Sequence, residues 1–322
     1  MTSEHATQKI PWVAHFLRTL AFSAIAAFPL ANKASPPVTA PVEVRELVLD
    51  RPAAVAPAFS PDGKTVFFGK STGETITIFV SEKIGGRWTT PKVAPFSGTY
   101  RDLEPAFAPN GQYVIFASNR PSVPGGKVID GNYNGASHAG GGGHLWKVEL
   151  RGHKWNTPTS LPEVINSSDS TFSPSITQDG SLYFMRPAVS GEKFHLYRAQ
   201  LHAGQYSVPE RVSFSDLDTF GDFDPAITKD ERFIVFSSAR PPAPPHQTDL
   251  FIAYRENGKW SEPVDLRLEL SGDVYGIEAR LAPDEKTLYF TNGRKLSSDD
   301  SGDEKTTFVH TWEVKLTEFL LK

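Results

Sequence analysis

Five times along the chain a short apolar run breaks at a polar turn and resumes as β-branched and aromatic residues. The phrases are "VAPAFSPDGKTVFFGK", "LEPAFAPNGQYVIFASNRP", "FSPSITQDGSLYFMRP", "FDPAITKDERFIVFSSARP" and "IEARLAPDEKTLYFTNGR". Aligned on the turn, they place Asp62, Asn110, Asp179, Asp230 and Asp284 at intervals of 48, 69, 51 and 54 residues. Each phrase predicts two strands, A and B, joined by a hairpin whose Asp-Gly, Asn-Gly or Asp-Glu pair suits a tight turn. A second pattern runs out of phase with the first. "GGRWTTP", "GHKWNTP", "AGQYSVP" and "NGKWSEP" set Trp88, Trp155, Tyr206 and Trp260 after a Gly-containing turn and before a Pro. The runs upstream of those turns ("TITIFV", "HLWKVEL", "HLYRAQL", "DLFIAYR") predict a strand C, and the aromatic opens a strand D. The following Pro marks D as an outer edge, where a missing N–H removes no ladder bond.

Four antiparallel strands per unit, repeated at about 50 residues, predict an all-β fold: a five-bladed β-propeller. The fifth unit has strand C in "TTFVHTWEV" and no Gly-aromatic turn after it. The missing strand is at the other end of the chain, where "PVEVRELVL" from Pro41 aligns with "PVDLRLEL" from Pro263. An N-terminal strand therefore closes the ring in the last blade, which removes open sheet edges. The blades start near residues 56, 104, 173, 224 and 278 of one domain, 35–322. The repeats "AFSPDGKTVFF", "FAPNGQYVIFASNRP" and "FSSARP" resemble the WD-repeat-like units of the TolB propeller family of exported bacterial proteins, over roughly residues 41–314. The resemblance implies a propeller and a binding or scaffolding role. It stops short of the TolB N-terminal α/β domain and sixth unit, and of the Gly-x-Ser-x-Gly elbow of peptidases that carry similar propellers.

Composition narrows the setting. A net charge of -4 with no basic stripe argues against nucleic acid as a partner. The apolar run Leu20 to Ala31 follows a basic stretch and ends in small residues, so residues 1–34 read as a signal peptide cleaved near Ala34. The run is too short for a membrane span. The chain has no Cys, which excludes a lipobox, disulfides and thiolate metal sites and suits a periplasmic or secreted monomer.

Strand direction puts the short A–B and C–D turns on one face and the long, unequal B–C and D–A connections on the other. Recognition is expected on the loop-rich face. Two polar rows reach it. Ala56, Glu104, Ser173, Asp224 and Glu278 precede strand A, and Lys70, Arg120, Arg186, Arg240 and Arg294 follow strand B. Arginine suits bidentate carboxylate pairing, so the two rows are expected to pair within each blade. Blades 1 and 3 lack the acid, leaving Lys70 and Arg186 for an anionic ligand. A third row at the start of strand C carries His144, His195 and Asp249, read as ligand-binding or loop-capping positions in separate blades and not as a shared metal site. Glu104, Asp224 and Glu278 are also the candidate acid, base or nucleophile of a carbohydrate-active hydrolase or lyase. The loop "SSDDSGDEK" offers oxygen ligands for a divalent cation such as calcium, and "HAGGGGHLW" reads as a flexible or ligand-gated loop. The expected partner is an envelope protein, a polar small ligand or a glycan.

Overall fold

A computed structural model of the chain describes residues 40–43, 54–72, 75–189, 191–243, 247–268, 274–295 and 306–320. The signal-peptide reading and the acidic loop after Lys295 lie outside the described residues.

The sheets form a five-bladed β-propeller. Blade 1 runs A Ala54–Phe59, B Thr65–Thr72, C Thr75–Ile84, with D split into Arg87–Trp88 and Lys92–Val93. Blade 2 is A Asp102–Phe107, B Tyr113–Ser118, C His144–Arg151, with D as Lys154–Trp155 and Thr159–Ser160. Blade 3 is A Phe172–Ile176, B Leu182–Pro187, C Phe194–Ala199 and D Glu210–Arg211. Blade 4 is A Asp222–Ile227, B Phe233–Ser238, C Asp249–Glu256, with D as Lys259–Trp260 and Val264–Asp265. Blade 5 is A Val274–Leu281, B Thr287–Lys295 and C Thr306–Lys315, and its outer strand is Val42–Glu43. That strand pairs antiparallel with C through Val42↔Glu313 and Glu43↔Trp312, the closure foreseen from the two Pro-Val phrases. Each strand A packs on the next blade's strand A, and that of blade 5 packs on that of blade 1.

The turns and aromatics explain why the same words recur. In every A–B hairpin the Asx side chain accepts a backbone N–H two residues on: Lys64, Gln112, Ser181, Arg232 and Lys286 donate in turn. This side-chain turn is worth having because the next residue sits at positive φ. Blades 1 to 3 put Gly63, Gly111 and Gly180 there, whereas blades 4 and 5 put Glu231 and Glu285 at φ 58° and 53°. The out-of-phase tryptophans fill the seams between blades. Trp155 of blade 2 lies 5.3 Å, ring to ring, from Phe67 of blade 1, and Trp260 of blade 4 lies 6.2 Å from Tyr183 of blade 3. After the last strand, a 3-10 turn at Thr317–Phe319 buries Phe319 beside blades 4 and 5, and Tyr254 Oη donates to the Phe319 carbonyl at 2.7 Å.

The two glutamates at the strained turns are tied to neighbouring strands. Glu231 accepts from Arg198 Nε of blade 3 at 2.7 Å and from Arg255 Nη1 of its own blade. Its side chain is largely buried, so neutralising it strands two guanidinium groups. Glu231→Gln is expected to lower stability by about 1–3 kcal/mol, read as a shifted urea midpoint with an unchanged slope.

Candidate functional site

At the start of each strand A the ladder to strand B slips by a bulge, between Val55 and Ala58, Leu103 and Ala106, Phe172 and Ser175, Phe223 and Ala226, and Ile277 and Arg280. Inside each bulge one residue takes a left-handed backbone: Ala56, Glu104, Ser173, Asp224 and Glu278, with φ between 48° and 56°. For a residue with a Cβ this conformation costs about 1 kcal/mol or more. A Pro follows in four of the five blades, at Pro57, Pro105, Pro174 and Pro225, where a missing N–H suits an unpaired bulge position.

The inversion aims these side chains at the neighbouring blade and the axis. Glu104 Oε2 accepts the Ser173 N–H at 2.7 Å. Ser173 Oγ donates to Asp224 Oδ1 at 2.7 Å, and Asp224 Oδ2 accepts the Glu278 N–H at 2.9 Å. Blades 2 to 5 are thus stitched around the axis by one row of residues. The Arg–carboxylate pairing expected within each blade is corrected by this geometry. Arg120 Nη2 bonds Asp102 Oδ1 at 2.7 Å, and Arg240 Nη2 bonds Asp222 at 2.8 Å, so each takes the acid two residues before the expected one. A period-2 strand would have put both acids on one face; the bulge turns the second away. The Arg294 side chain lies outside the described residues.

The arginines are structural posts. Arg120 also donates from Nε to Ser118 Oγ and from Nη2 to the Phe96 carbonyl, and Arg240 repeats the pattern with Ser238 and Phe214. In blades 1 and 3 neither Lys70 nor Arg186 has a carboxylate partner among the described residues. Lys70 Nζ lies 5.5 Å from the Phe79 ring centre; Arg186 donates to Ser167 Oγ at 2.6 Å and lies over Tyr197. His144 sits between Asp169 (3.1 Å) and Ser122 (3.2 Å), and burial holds its pKa below the ordinary value. His195 Nδ1–H donates to the Ser215 carbonyl at 2.9 Å, which leaves Nε2 as the acceptor in the neutral ring. Burial, helped by Arg211, lowers its pKa too. Asp249 is pushed up by burial and by Asp265. Among the described residues no three His, Asp or Glu side chains converge on a point where a metal ion could bind.

Four of these residues meet in a cavity of 1340 Å³ that opens on the loop-rich face: Glu104, Asp224 and Glu278 with His195. Lys70, Arg120, Arg186, Arg240, His144 and Asp249 do not line it. Its floor is the carboxylate row; its walls rise over blades 2 to 4 and include Tyr133, Phe194, Phe223 and Lys193, which the repeat did not single out. Tyr133 belongs to a hairpin, Gly131–Tyr133 with Ala136–His138, turned by Asn134 and Gly135, both at positive φ. The Asn-Gly in "GNYNGAS" is the signal that could have found it. The hairpin leans on blade 3, where Asn134 N–H donates to the Glu192 carbonyl and Gly135 N–H to that of Gly191. The glycine run "HAGGGGHLW" is not a gated loop but a packed crossing. A Cβ on Gly142 would stand 2.6 Å from the Asp130 carbonyl oxygen, and one on Gly143 would stand 2.3 Å from the Phe172 ring.

Charge on the cavity floor is unevenly held. Burial pushes the Glu278 carboxyl up to about 8, with Asp224 and Glu104 adding to the rise and Arg280 opposing it. Among the described residues Glu278 Oε2 has no hydrogen-bond partner. Glu104 is raised for the same first reason, burial, then by Asp224.

No protein-family model and no curated protein matches the sequence. Among solved structures the fold is shared with the catalytic domain of an α-L-arabinofuranosidase from Coprinopsis cinerea, at 11% identity and a TM-score of 0.50, over 88% of this chain and 96% of that one. The chain is also similar to a putative TolB from Agrobacterium tumefaciens, at 15% identity and a TM-score of 0.47, over 81% of this chain and 83% of that one. With TolB from Acinetobacter baumannii the identity is 17% and the TM-score 0.39, over 66% of this chain and 46% of that one, so this chain matches less than half of that protein. The first of these likenesses speaks to the fold alone.

The raised Glu278 carboxyl sets a pH dependence. Its ordinary value is 4.5 and its folded value about 8, so between them the unfolded chain binds fewer protons than the folded one. Stability therefore falls as pH rises through that window and levels off above it. Glu278→Gln is expected to flatten this slope and to exceed the parent in stability at about pH 8.5 by a few kcal/mol, on the order of 1.4 per pKa unit. The gap should close towards about pH 4.5, as read by urea titrations at both ends.

Proposed function

We propose that this chain is an exported binding protein that takes a polar, hydroxyl-rich ligand, a glycan or similar polyol, in the funnel on its loop-rich face. One observation carries the reading. Three carboxyl groups from blades 2, 4 and 5 form the floor of an open 1340 Å³ cavity, and those of Glu104 and Asp224 are held by backbone and hydroxyl donors instead of by arginines. Spare lone pairs on such carboxyls accept hydroxyl protons, while the aromatic faces of Tyr133, Phe194 and Phe223 suit the C–H faces of a sugar ring. The volume exceeds that of an ordinary small-molecule pocket, about 300–1,000 Å³, which leaves room for more than one sugar unit. Lys193 is held at the wall by the Thr219 carbonyl at 2.8 Å, so the wall is partly fixed before a ligand arrives. The periplasm or the cell exterior is the setting that fits the export reading, and an envelope protein is the partner that a failed ligand search would favour.

A second reading, cleavage of a glycosidic bond at the same floor, is favoured by Glu278. A carboxyl with a pKa of about 8 carries a proton at neutral pH, as a general acid must. Asp224, which accepts from two neighbours on the same floor, would be its partner in that reading.

The binding reading is checked by thermal shift of the chain from Ser35 with neutral and acidic oligosaccharides. A ligand at a hundred times its Kd is expected to add about 2.7 kcal/mol, and Glu104→Gln or Phe223→Ala to remove most of that gain. Silence with every sugar would sink it. Release of nitrophenol from aryl glycosides, lost in Glu278→Gln, would replace it with the hydrolytic reading.

A further inference from the structure

Three blades lay an arginine over the pair of rings that strands B and C set side by side: Phe116 with Trp146, Phe236 with Phe251, and Phe184 with Tyr197. The Arg120 guanidinium lies 5.0 and 5.3 Å from the Phe116 and Trp146 ring centres. That of Arg240 lies 5.1 and 5.6 Å from Phe236 and Phe251. Arg186 comes two residues earlier in its unit, yet its guanidinium reaches the equivalent shelf of blade 3, at 5.8 Å from Phe184 and 4.6 Å from Tyr197.

What differs is the counter-charge. Asp102 and Asp222 answer Arg120 and Arg240. The same position, two residues before the left-handed one, is Thr171 in blade 3, and its Oγ1 donates to the Ser168 carbonyl at 2.9 Å. Arg186 is left with hydroxyls: Nη1 donates to Ser167 Oγ at 2.6 Å, and the side chain interacts with the Tyr197 hydroxyl. Two hydroxyls leave donors to spare on a group with five N–H bonds. Burial pushes the Arg186 pKa below its ordinary value, so the guanidinium has lost part of its water without gaining a carboxylate among the described residues. It is only half-buried, so a ligand can reach it. Arg211, the strand D partner of Tyr197, interacts with the same hydroxyl, and Asp218 answers its charge at 2.9 Å. Two guanidiniums and one carboxylate leave a single positive charge, which a monoanion balances. Arg280 also lacks a carboxylate bond, but it is different. It breaks a row of small residues, Ala58, Ala106, Ser175 and Ala226, where the channel narrows to a throat; its idle donors are sealed from solvent and its charge faces the carboxyl row above.

We propose that the Arg186 shelf of blade 3 is an anion site that takes the carboxylate of a small ligand, gripped by the guanidinium beside Ser167 and Arg211. The ligand supplies from outside the charge that Asp102 and Asp222 supply from within blades 2 and 4. The grip itself has a precedent in this blade, where Arg198 holds both oxygens of Glu231, from Nε at 2.7 Å and from Nη2 at 3.1 Å. Arg186 does not line the funnel, so the site stands whether or not that funnel binds a glycan.

The test is a titration of the whole chain, labelled with 15N-arginine, with acetate, phosphate and chloride at equal ionic strength. The Arg186 Nε–H resonance is identified by its loss in Arg186→Lys, or by its shift in Ser167→Ala should the lysine variant not fold. Acetate is expected to move that resonance along a saturating curve and to raise Tm, phosphate to act no more strongly, and chloride to do neither. Arg186→Lys, which keeps the charge and loses the fork, is expected to need roughly tenfold more acetate for the same rise in Tm. Thr171→Asp places a carboxylate where blades 2 and 4 have theirs and is expected to abolish the acetate response. The proposal is overturned if the resonance stays still with acetate, if chloride acts as acetate does, if phosphate outdoes it, or if Thr171→Asp responds like the parent.

Discussion

One left-handed residue at the inner end of each blade sets the geometry of this propeller. A strand that ran straight would alternate its side chains between the two faces of its own sheet and offer nothing to the axis. The inversions at Ala56, Glu104, Ser173, Asp224 and Glu278 break that alternation once per blade. They free a backbone N–H and a side chain to reach the next blade, and the Ser173 and Glu278 amides do so. The strain, about 1 kcal/mol or more per residue, is offset by charge-assisted hydrogen bonds of about 1.5–3 kcal/mol between blades. Stability and the candidate site therefore come from the same row of atoms. Where the row carries acids, the ring that holds the blades together is also the floor of the funnel.

That double role creates the electrostatic character of the channel. Three carboxyls brought together under low solvent access cannot all ionise at neutral pH, and burial, more than mutual repulsion, is the first cause of the rise at Glu278 and Glu104. Donors from two blades converge on the two oxygens of Asp224. Arg280, two residues beyond Glu278 on the same strand, supplies the nearest counter-charge without closing a hydrogen bond to either glutamate. A proton on Glu278 and an under-used guanidinium below it make the axis polar along its length.

Much of this fold was legible in the sequence, because it rests on local chemistry that the chain must repeat. The Asx turns, the β-branched B strands and the seam aromatics each answer a need that arises in every blade, so each appears as a word at a fixed place in the unit. The closing strand was legible for the same reason: Val42 and Glu43 read like the outer strands of other blades and could only complete blade 5. The partner of each arginine was not legible. Choosing Asp102 over Glu104, or Asp222 over Asp224, requires knowing that the chain bulges between them, and a bulge leaves no residue-type signature beyond the proline that follows.

The walls of the funnel were hidden for a different reason. Tyr133, Lys193 and Phe223 come from unlike places in three blades, a hairpin insertion, a B–C loop and a strand start, so no repeat register brings them together. A repeat alignment finds what all blades share, and a binding site is built from what they do not. Arg280 bridges the two cases: its position is legible as the fifth member of a row of small residues, and it stands out only because it breaks that row. In a closed ring of near-identical units, such departures are what distinguishes one blade from another. The eccentric funnel over blades 2 to 4 and Arg280 at the throat are both departures of this kind from a ring whose units otherwise repeat.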